Sequence, residues 1–269
     1  MNKEEIVQQV MNELRAKAAA PAAEAPAAVV TPSGYCVDPT ACGLTEFVGS
    51  SPIGDSLGFV IANIDPTLHK LMEIDPKYRS IGVITARSGA GPHGMAADEA
   101  VKSTNVELIR FEQPNDTKGG GGHGNMMLFA AEDVSDARRA VEITLAGLET
   151  YFGGVIGNGN SFIEVQYTAR ASHVLSRYLN AEEGKAWGLI NACPAGLGIL
   201  MADAALKAAD VKLTGYGSPA LGANTNEFTI FVTGDSGAVK QSVCTAREIG
   251  IKLMRALGAD PVPTGKPYF

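Results

Sequence analysis

The feature that most constrains this chain is an internal repeat. Ala97, Asp98, Ala100, Lys102, Val106, Leu108 and Pro114 recur as Ala202, Asp203, Ala205, Lys207, Val211, Leu213 and Pro219, each displaced by 105 positions. Upstream, Gly82, Ile84 and Ala86 match Gly188, Ile190 and Ala192 at an interval of 106, and downstream Asp133 and Val141 match Asp235 and Val243 at 102. A constant interval over apolar and small residues means one supersecondary pattern used twice, with the small changes of interval falling in loops. The 269 residues therefore divide into two domains of ordinary size rather than one large one.

Each copy reads as an α+β unit. Residues 58–63, 80–86, 106–111 and 126–131 are short apolar runs bounded by turn residues, which predicts a four-stranded, mainly antiparallel sheet. Val134, Ala137, Val141, Leu145 and Leu148 form one helical stripe, with Asp133 or Ser135 available as its cap, and Val239, Val243, Ala246, Leu253 and Leu257 are its counterpart. Ala-rich helices around 96–102 and 201–209 present small faces suited to close packing on a sheet. The expected boundaries are 44–153 for the first copy and 154–260 for the second, with a tail at 261–269. Ahead of them, Ile6, Val7, Val10, Met11 and Leu14 give residues 1–17 the pattern of an amphipathic helix, and 18–43 is an Ala/Pro-rich linker. A sticky helix on a tether suits recruitment; the plainer alternative is a terminus packed on its own domain.

Several function classes are disfavoured. A net charge of −7, no basic run and 6% aromatic residues argue against nucleic acid. No stretch of 18 apolar residues suggests a membrane span, and the four cysteines, with no CxxC pair, read as reduced thiols of a cytosolic protein. His69, His93, His123 and His173 are scattered, so neither a metal site nor a catalytic constellation is visible, and no cofactor is expected. The run Thr117 to Gly124 invites a phosphate-cradle reading, but an apolar strand follows it instead of a helix N-terminus. The dyads Asp98/Lys102 and Asp203/Lys207 have i, i+4 spacing, and their recurrence predicts solvent-facing pairs in similar surroundings.

The segments Met95-Ala-Ala-Asp-Glu-Ala-Val-Lys-Ser-Thr-Asn-Val-Glu-Leu108 and Met201-Ala-Asp-Ala-Ala-Leu-Lys-Ala-Ala-Asp-Val-Lys-Leu213 resemble the helix-to-strand signature of bacterial microcompartment (BMC) shell domains. Gly234-Asp-Ser-Gly-Ala-Val-Lys240 is similar to the start of that domain's last helix. Each copy places a strand and helix, 58–72 and 162–179, ahead of the usual first strand, which resembles the circularly permuted tandem type. The resemblance implies a non-enzymatic homotrimer that mimics a hexamer and tiles with other shell proteins around encapsulated enzymes in the cytoplasm. It implies that Lys102 and Lys207 lie at tile edges. It places the loops 113–125 and 217–226, with Lys118, Gly119, Gly120, Gly121, Gly122, His123, Ser218, Pro219, Asn224 and Asn226, near channels for a small diol or glycerol. It also makes the N-terminal helix a cargo anchor. Two other readings stay open on the residues alone: an enzyme built on the glycine loop and His123, and a module binding a small ligand between its halves.

Overall fold

Two small residues set how closely helix and sheet approach. A Cβ on Gly82 would fall 2.7 Å from Val141, and one on Gly188 would fall 2.5 Å from Val243. The same glycine therefore lets the same valine sit against the sheet in each copy, because no side chain fits between backbone and helix.

The computed structural model describes residues 44–114, 124–157, 161–221 and 225–269, together with the backbone at 29–30 and 36–37. Among these residues all strand pairs are antiparallel. The first sheet runs, in spatial order, β1 (Val29–Val30), β2 (Cys36–Val37), β3 (Phe47–Ser51), β4 (Ser56–Ile61), β5 (Ser80–Ala86), β7 (Asn125–Ala131) and β6 (Glu107–Glu112). The second runs β11 (Lys212–Gly217), β12 (Phe228–Gly234), β10 (Ala186–Cys193), β9 (Phe162–Thr168) and β8 (Val155–Gly157). The four expected strands are present in each half, β3 and β8 add a fifth at equivalent positions beside β4 and β9, and the two-residue strands β1 and β2 extend the first sheet beyond β3. Neither β3 nor β8 had a readable period: β8 is three residues long and β3 contains Gly49, Ser50 and Ser51.

The helices are α1 (Pro66–Leu71), α2 (Ala90–Ser103), α3 (Val134–Tyr151), α4 (His173–Tyr178), α5 (Ala195–Ala208) and α6 (Ser236–Ala256). Asp133 rather than Ser135 caps α3, accepting from the Ser135 amide at 2.7 Å. The short helices α1 and α4 are also equivalent: Asp65 caps one and Ser172 the other, and each is followed by a residue with positive φ, Glu73 (53°) and Asn180 (55°).

The larger apolar core crosses from one half to the other. Met95 on α2 and Leu108 and Phe111 on β6 bury themselves in the same cluster as Val174, Leu175 and Leu179 of the α4 region and Trp187 of β10. Trp187 donates its indole N–H to the Leu179 carbonyl at 2.9 Å. Each such side chain contributes about 1.5–3 kcal/mol, so the seam is a true interior and not a hinge. A polar anchor fixes its register. Asp98 Oδ1 accepts from the Ser172 amide at 3.0 Å and from the Ser172 hydroxyl, while Oδ2 meets Lys102 Nζ at 2.7 Å.

The two dyads are therefore not in similar surroundings. The Asp98 side chain is 1% exposed and Lys102 also meets Glu99 at 2.8 Å, whereas Asp203 and Lys207 pair at 2.7 Å with 53% and 74% of their side chains exposed. The reason is what lies over each helix. Helix α4 covers α2, and among the described residues no equivalent element covers α5. The repeat partners of Met95, Leu108 and Phe111, namely Leu200, Leu213 and Tyr216, are accordingly 45–54% exposed.

Candidate functional site

Strand β9 is buried along both faces over most of its length, yet two of its residues are polar. Ile163 and Val165 join the core beneath α5 and α6. Glu164 and Gln166 take the opposite face, as the two-residue period of a strand requires, and are buried there. Across the sheet, Glu164 pairs with Asn191 and Asn191 with Thr229, so three neighbouring strands place a row of polar side chains at one level. The corresponding row of the first sheet is Leu57, Thr85 and Met126. Only the second half carries the full polar set.

This row borders a cavity of about 230 Å³ at the seam between the halves. The start of α2 closes one side with Ala90 and Gly91, and Gln113, Tyr216, Glu227 and Phe231 complete much of the wall. Gly91 has no room for a side chain, since a Cβ there would fall 1.9 Å from Glu164 Oε1. Thr229 Oγ1 donates to Asn191 Oδ1 at 2.9 Å, and Asn191 Nδ2 donates to Glu227 Oε2 at 3.2 Å. Gln166 Nε2 donates to the Tyr151 carbonyl at 3.0 Å and to Glu164 Oε1 at 3.3 Å. Burial lifts the Glu164 carboxyl to about 8, the Gln166 bond pulls the other way and the charge of Glu227 adds to the rise. At neutral pH Glu164 is thus mostly protonated and adds a hydroxyl donor beside the acceptors of Asn191 and Glu227. Such a wall exchanges hydrogen bonds in both directions, which suits a small hydroxylated solute shedding water.

Of the residues singled out in the sequence, Ser218 exchanges backbone hydrogen bonds with Leu221 at 2.8 and 2.9 Å, Pro219 is exposed beside it, and Asn226 Oδ1 accepts from the Ala195 amide at 3.4 Å. None of the three borders the cavity, which takes instead the roots of the two loops, Gln113 and Gly217. Lys118 to His123, Asn224 and the helix carrying Ile6, Val7, Val10, Met11 and Leu14 lie outside the described residues. The sequence reading missed Glu164, Asn191, Glu227 and Thr229. The available signal was Glu164 and Gln166 interrupting the apolar run of β9.

His93 is a structural residue. It is buried, with Nδ1 2.6 Å from the Gly89 carbonyl and Nε2 2.8 Å from Ser56 Oγ, and burial pushes it down to about 4. Among the described residues no three His, Cys, Asp or Glu side chains gather as a metal site would require.

The family model of the BMC domain matches twice, at residues 80–158 and 186–259. The chain belongs to the bacterial microcompartment shell protein family. The BMC shell protein PduB of Salmonella typhimurium is 48% identical over 263 residues, 97% of each chain, and the shell protein EutL of Escherichia coli is 31% identical over 206 residues, 70% of this chain and 86% of its own. Among solved structures, a trimeric BMC shell protein PduB aligns with a TM-score of 0.80 and 44% identity, covering 84% of this chain and 100% of its own. EtuB from Clostridium kluyveri aligns with a TM-score of 0.80 and 52% identity over 84% and 99%. The tandem BMC architecture has the permuted order expected from the sequence, with β4–α1 ahead of β5 and β9–α4 ahead of β10. Its role is that of a structural shell protein, the description its relatives carry.

Proposed function

We propose that three chains close head to tail into a shell tile that carries one polar solute path per chain. The repeat supports the ring. Within the chain α4 covers α2, so α1 of a second chain is the element that covers α5 by the same geometry. Leu68 and Leu71 on α1 are 41% and 78% exposed, facing that task with the uncovered Leu200, Leu213 and Tyr216. A heterologous contact repeated by two pseudo-equivalent halves closes a ring when its rotation allows, and the trimeric PduB structure supports closure after three chains, with six domains in the ring. Units 44–153 and 154–260 are the two domains of this proposal, and Lys102 and Lys207 stand at alternate outer edges that meet neighbouring shell proteins.

The observation that carries the solute path is the Glu164–Asn191–Thr229 row, opposed in the first half by Leu57, Thr85 and Met126. The seam inside each chain is polar where the seam between chains is apolar, giving three paths per ring. The solutes are a small diol or glycerol. Ser218, Pro219, Asn224 and Asn226, with Lys118, Gly119, Gly120, Gly121, Gly122 and His123, belong to loops whose roots border the cavity and form its approach. The amphipathic residues Ile6, Val7, Val10, Met11 and Leu14 anchor encapsulated enzymes. Crystals soaked in glycerol or 1,2-propanediol test the path: ordered solute beside Glu164 and Asn191 is expected, and solute found only at remote surface positions overturns it.

A further inference from the structure

After α6 the chain turns back over its own seam. The Thr264 amide donates to the Val155 carbonyl at 2.8 Å, the Gly265 amide to Phe152 at 3.0 Å and the Lys266 amide to Glu149 at 2.8 Å. These bonds tie residues 264–266 to the end of α3 and the start of β8. The arrangement brings the Tyr268 ring edge-on to Tyr151 at 5.3 Å, and its hydroxyl into the gap behind β9. There the hydroxyl accepts from the Tyr167 amide at 3.1 Å and donates to Gln166 Oε1 at 2.8 Å.

That last bond holds one end of the Gln166 amide. An amide has an acceptor end and a donor end of nearly equal shape, and its neighbours decide the orientation. The Tyr151 carbonyl can only accept and so takes Nε2, which also reaches Glu164 Oε1, while the Tyr268 hydroxyl, donating to Oε1, anchors the other end in the same sense. The Tyr268 hydroxyl thus acts on the cavity carboxyl through one intermediate side chain while standing behind the wall that solute meets. Its proton stays in place, since burial holds the phenol well above its usual range.

We propose that Tyr268 is a positioning residue for the solute cavity: by orienting the Gln166 amide it holds Glu164 in place and sets its proton affinity. The inference rests on the cavity being the solute path only for its effect on binding. The Glu164 side chain faces Glu227, which precedes β12, and Gln166 on its own strand, with Tyr268 and Tyr151 behind. Burial, the Gln166 bond and the charge of Glu227 govern its titration.

The test uses the full-length assembled protein with 13C-labelled glutamate, following the Glu164 carboxyl by NMR from pH 5 to 10, with Glu164→Gln identifying the signal. Tyr268→Phe keeps the ring and removes the hydroxyl. The Gln166 amide keeps its bond to the Tyr151 carbonyl but loses its second anchor, so its longer N–H bond to Glu164 weakens and the Glu164 midpoint rises, by up to about one pH unit, the worth of one hydrogen bond to a charged group. Gln166→Leu removes that bond outright, gives the full rise and serves where Tyr268→Phe does not assemble. Phe269→Leu disturbs packing in the same segment and leaves the midpoint in place. A midpoint unchanged in Tyr268→Phe, or a rise equally large in Phe269→Leu, overturns the proposal. Glycerol titration of the same samples separates the two readings. Weakened binding with a shifted midpoint supports both, and a shifted midpoint with no glycerol binding in any sample removes the solute path while leaving the positioning role.

Discussion

Replacing Asp98 by alanine tests the seam, because its repeat partner Asp203 provides a built-in comparison at the same helical position. Asp98 is almost wholly buried and serves three donors: the Ser172 amide, the Ser172 hydroxyl and Lys102. Two of these tie one half to the other, and Ser172 in turn caps α4 through the Val174 amide at 3.3 Å. Removing the carboxylate strands the two Ser172 donors at the seam and takes one of two acidic partners from Lys102, a change that costs about 3–5 kcal/mol in buried pairs. Lys102 keeps Glu99 at 2.8 Å, which places the loss near the lower end. Asp203 holds only Lys207 in an exposed i, i+4 pair, so Asp203→Ala costs about 0.5 kcal/mol or less. Urea unfolding reads both, as a shift of midpoint at constant slope. For a chain of this size the difference corresponds to a melting temperature lower by about 5–10 °C for Asp98→Ala than for Asp203→Ala. Equal losses from the two substitutions would refute the account of the seam.

Glu164→Gln should remove a pH dependence. The carboxyl titrates near 8 when folded against a reference value of 4.5, so the folded chain holds the proton more tightly and stability falls as pH rises from about 4.5 through about 8. The gap corresponds to roughly 5 kcal/mol at about 1.4 kcal/mol per unit, and the glutamine variant gains stability relative to the parent across that window; parallel pH profiles for the two proteins contradict it. Leu68→Glu combined with Leu71→Glu charges the face of α1 that the ring proposal buries, and light scattering should find folded single chains of 28.0 kDa in place of trimers. Trimers that survive both charges place the subunit contact elsewhere.

Much of this was legible because it is local or repeated. The interval of 105 requires two copies of one unit, and the paired Gly82/Val141 and Gly188/Val243 show why that interval is kept: a glycine under a valine sets the distance between helix and sheet. What the sequence could not carry is context supplied from outside each copy. Asp98 and Asp203 have identical spacing to their lysines, and only the position of α4 decides that one is interior and the other exposed. The cavity at the seam lies away from the loops for a similar reason. The glycine loop and the loop at 217–226 contribute only their roots, Gln113 and Gly217, whereas the polar wall comes from strand residues that meet only when β9, β10 and β12 pair. Glu164 and Gln166 were nevertheless a readable anomaly, since two polar residues in a strand with no exposed face need a reason.

The central claim is that this chain is a shell tile, and electron microscopy of the purified protein tests it most directly. The account predicts flat sheets of three-fold-symmetric particles in hexagonal array, lost in the Lys207→Ala variant although its particles keep the same mass, since Lys207 is 74% exposed and takes no part in the seam. Particles that never associate edge to edge, or sheets unchanged by removing Lys207, would contradict it.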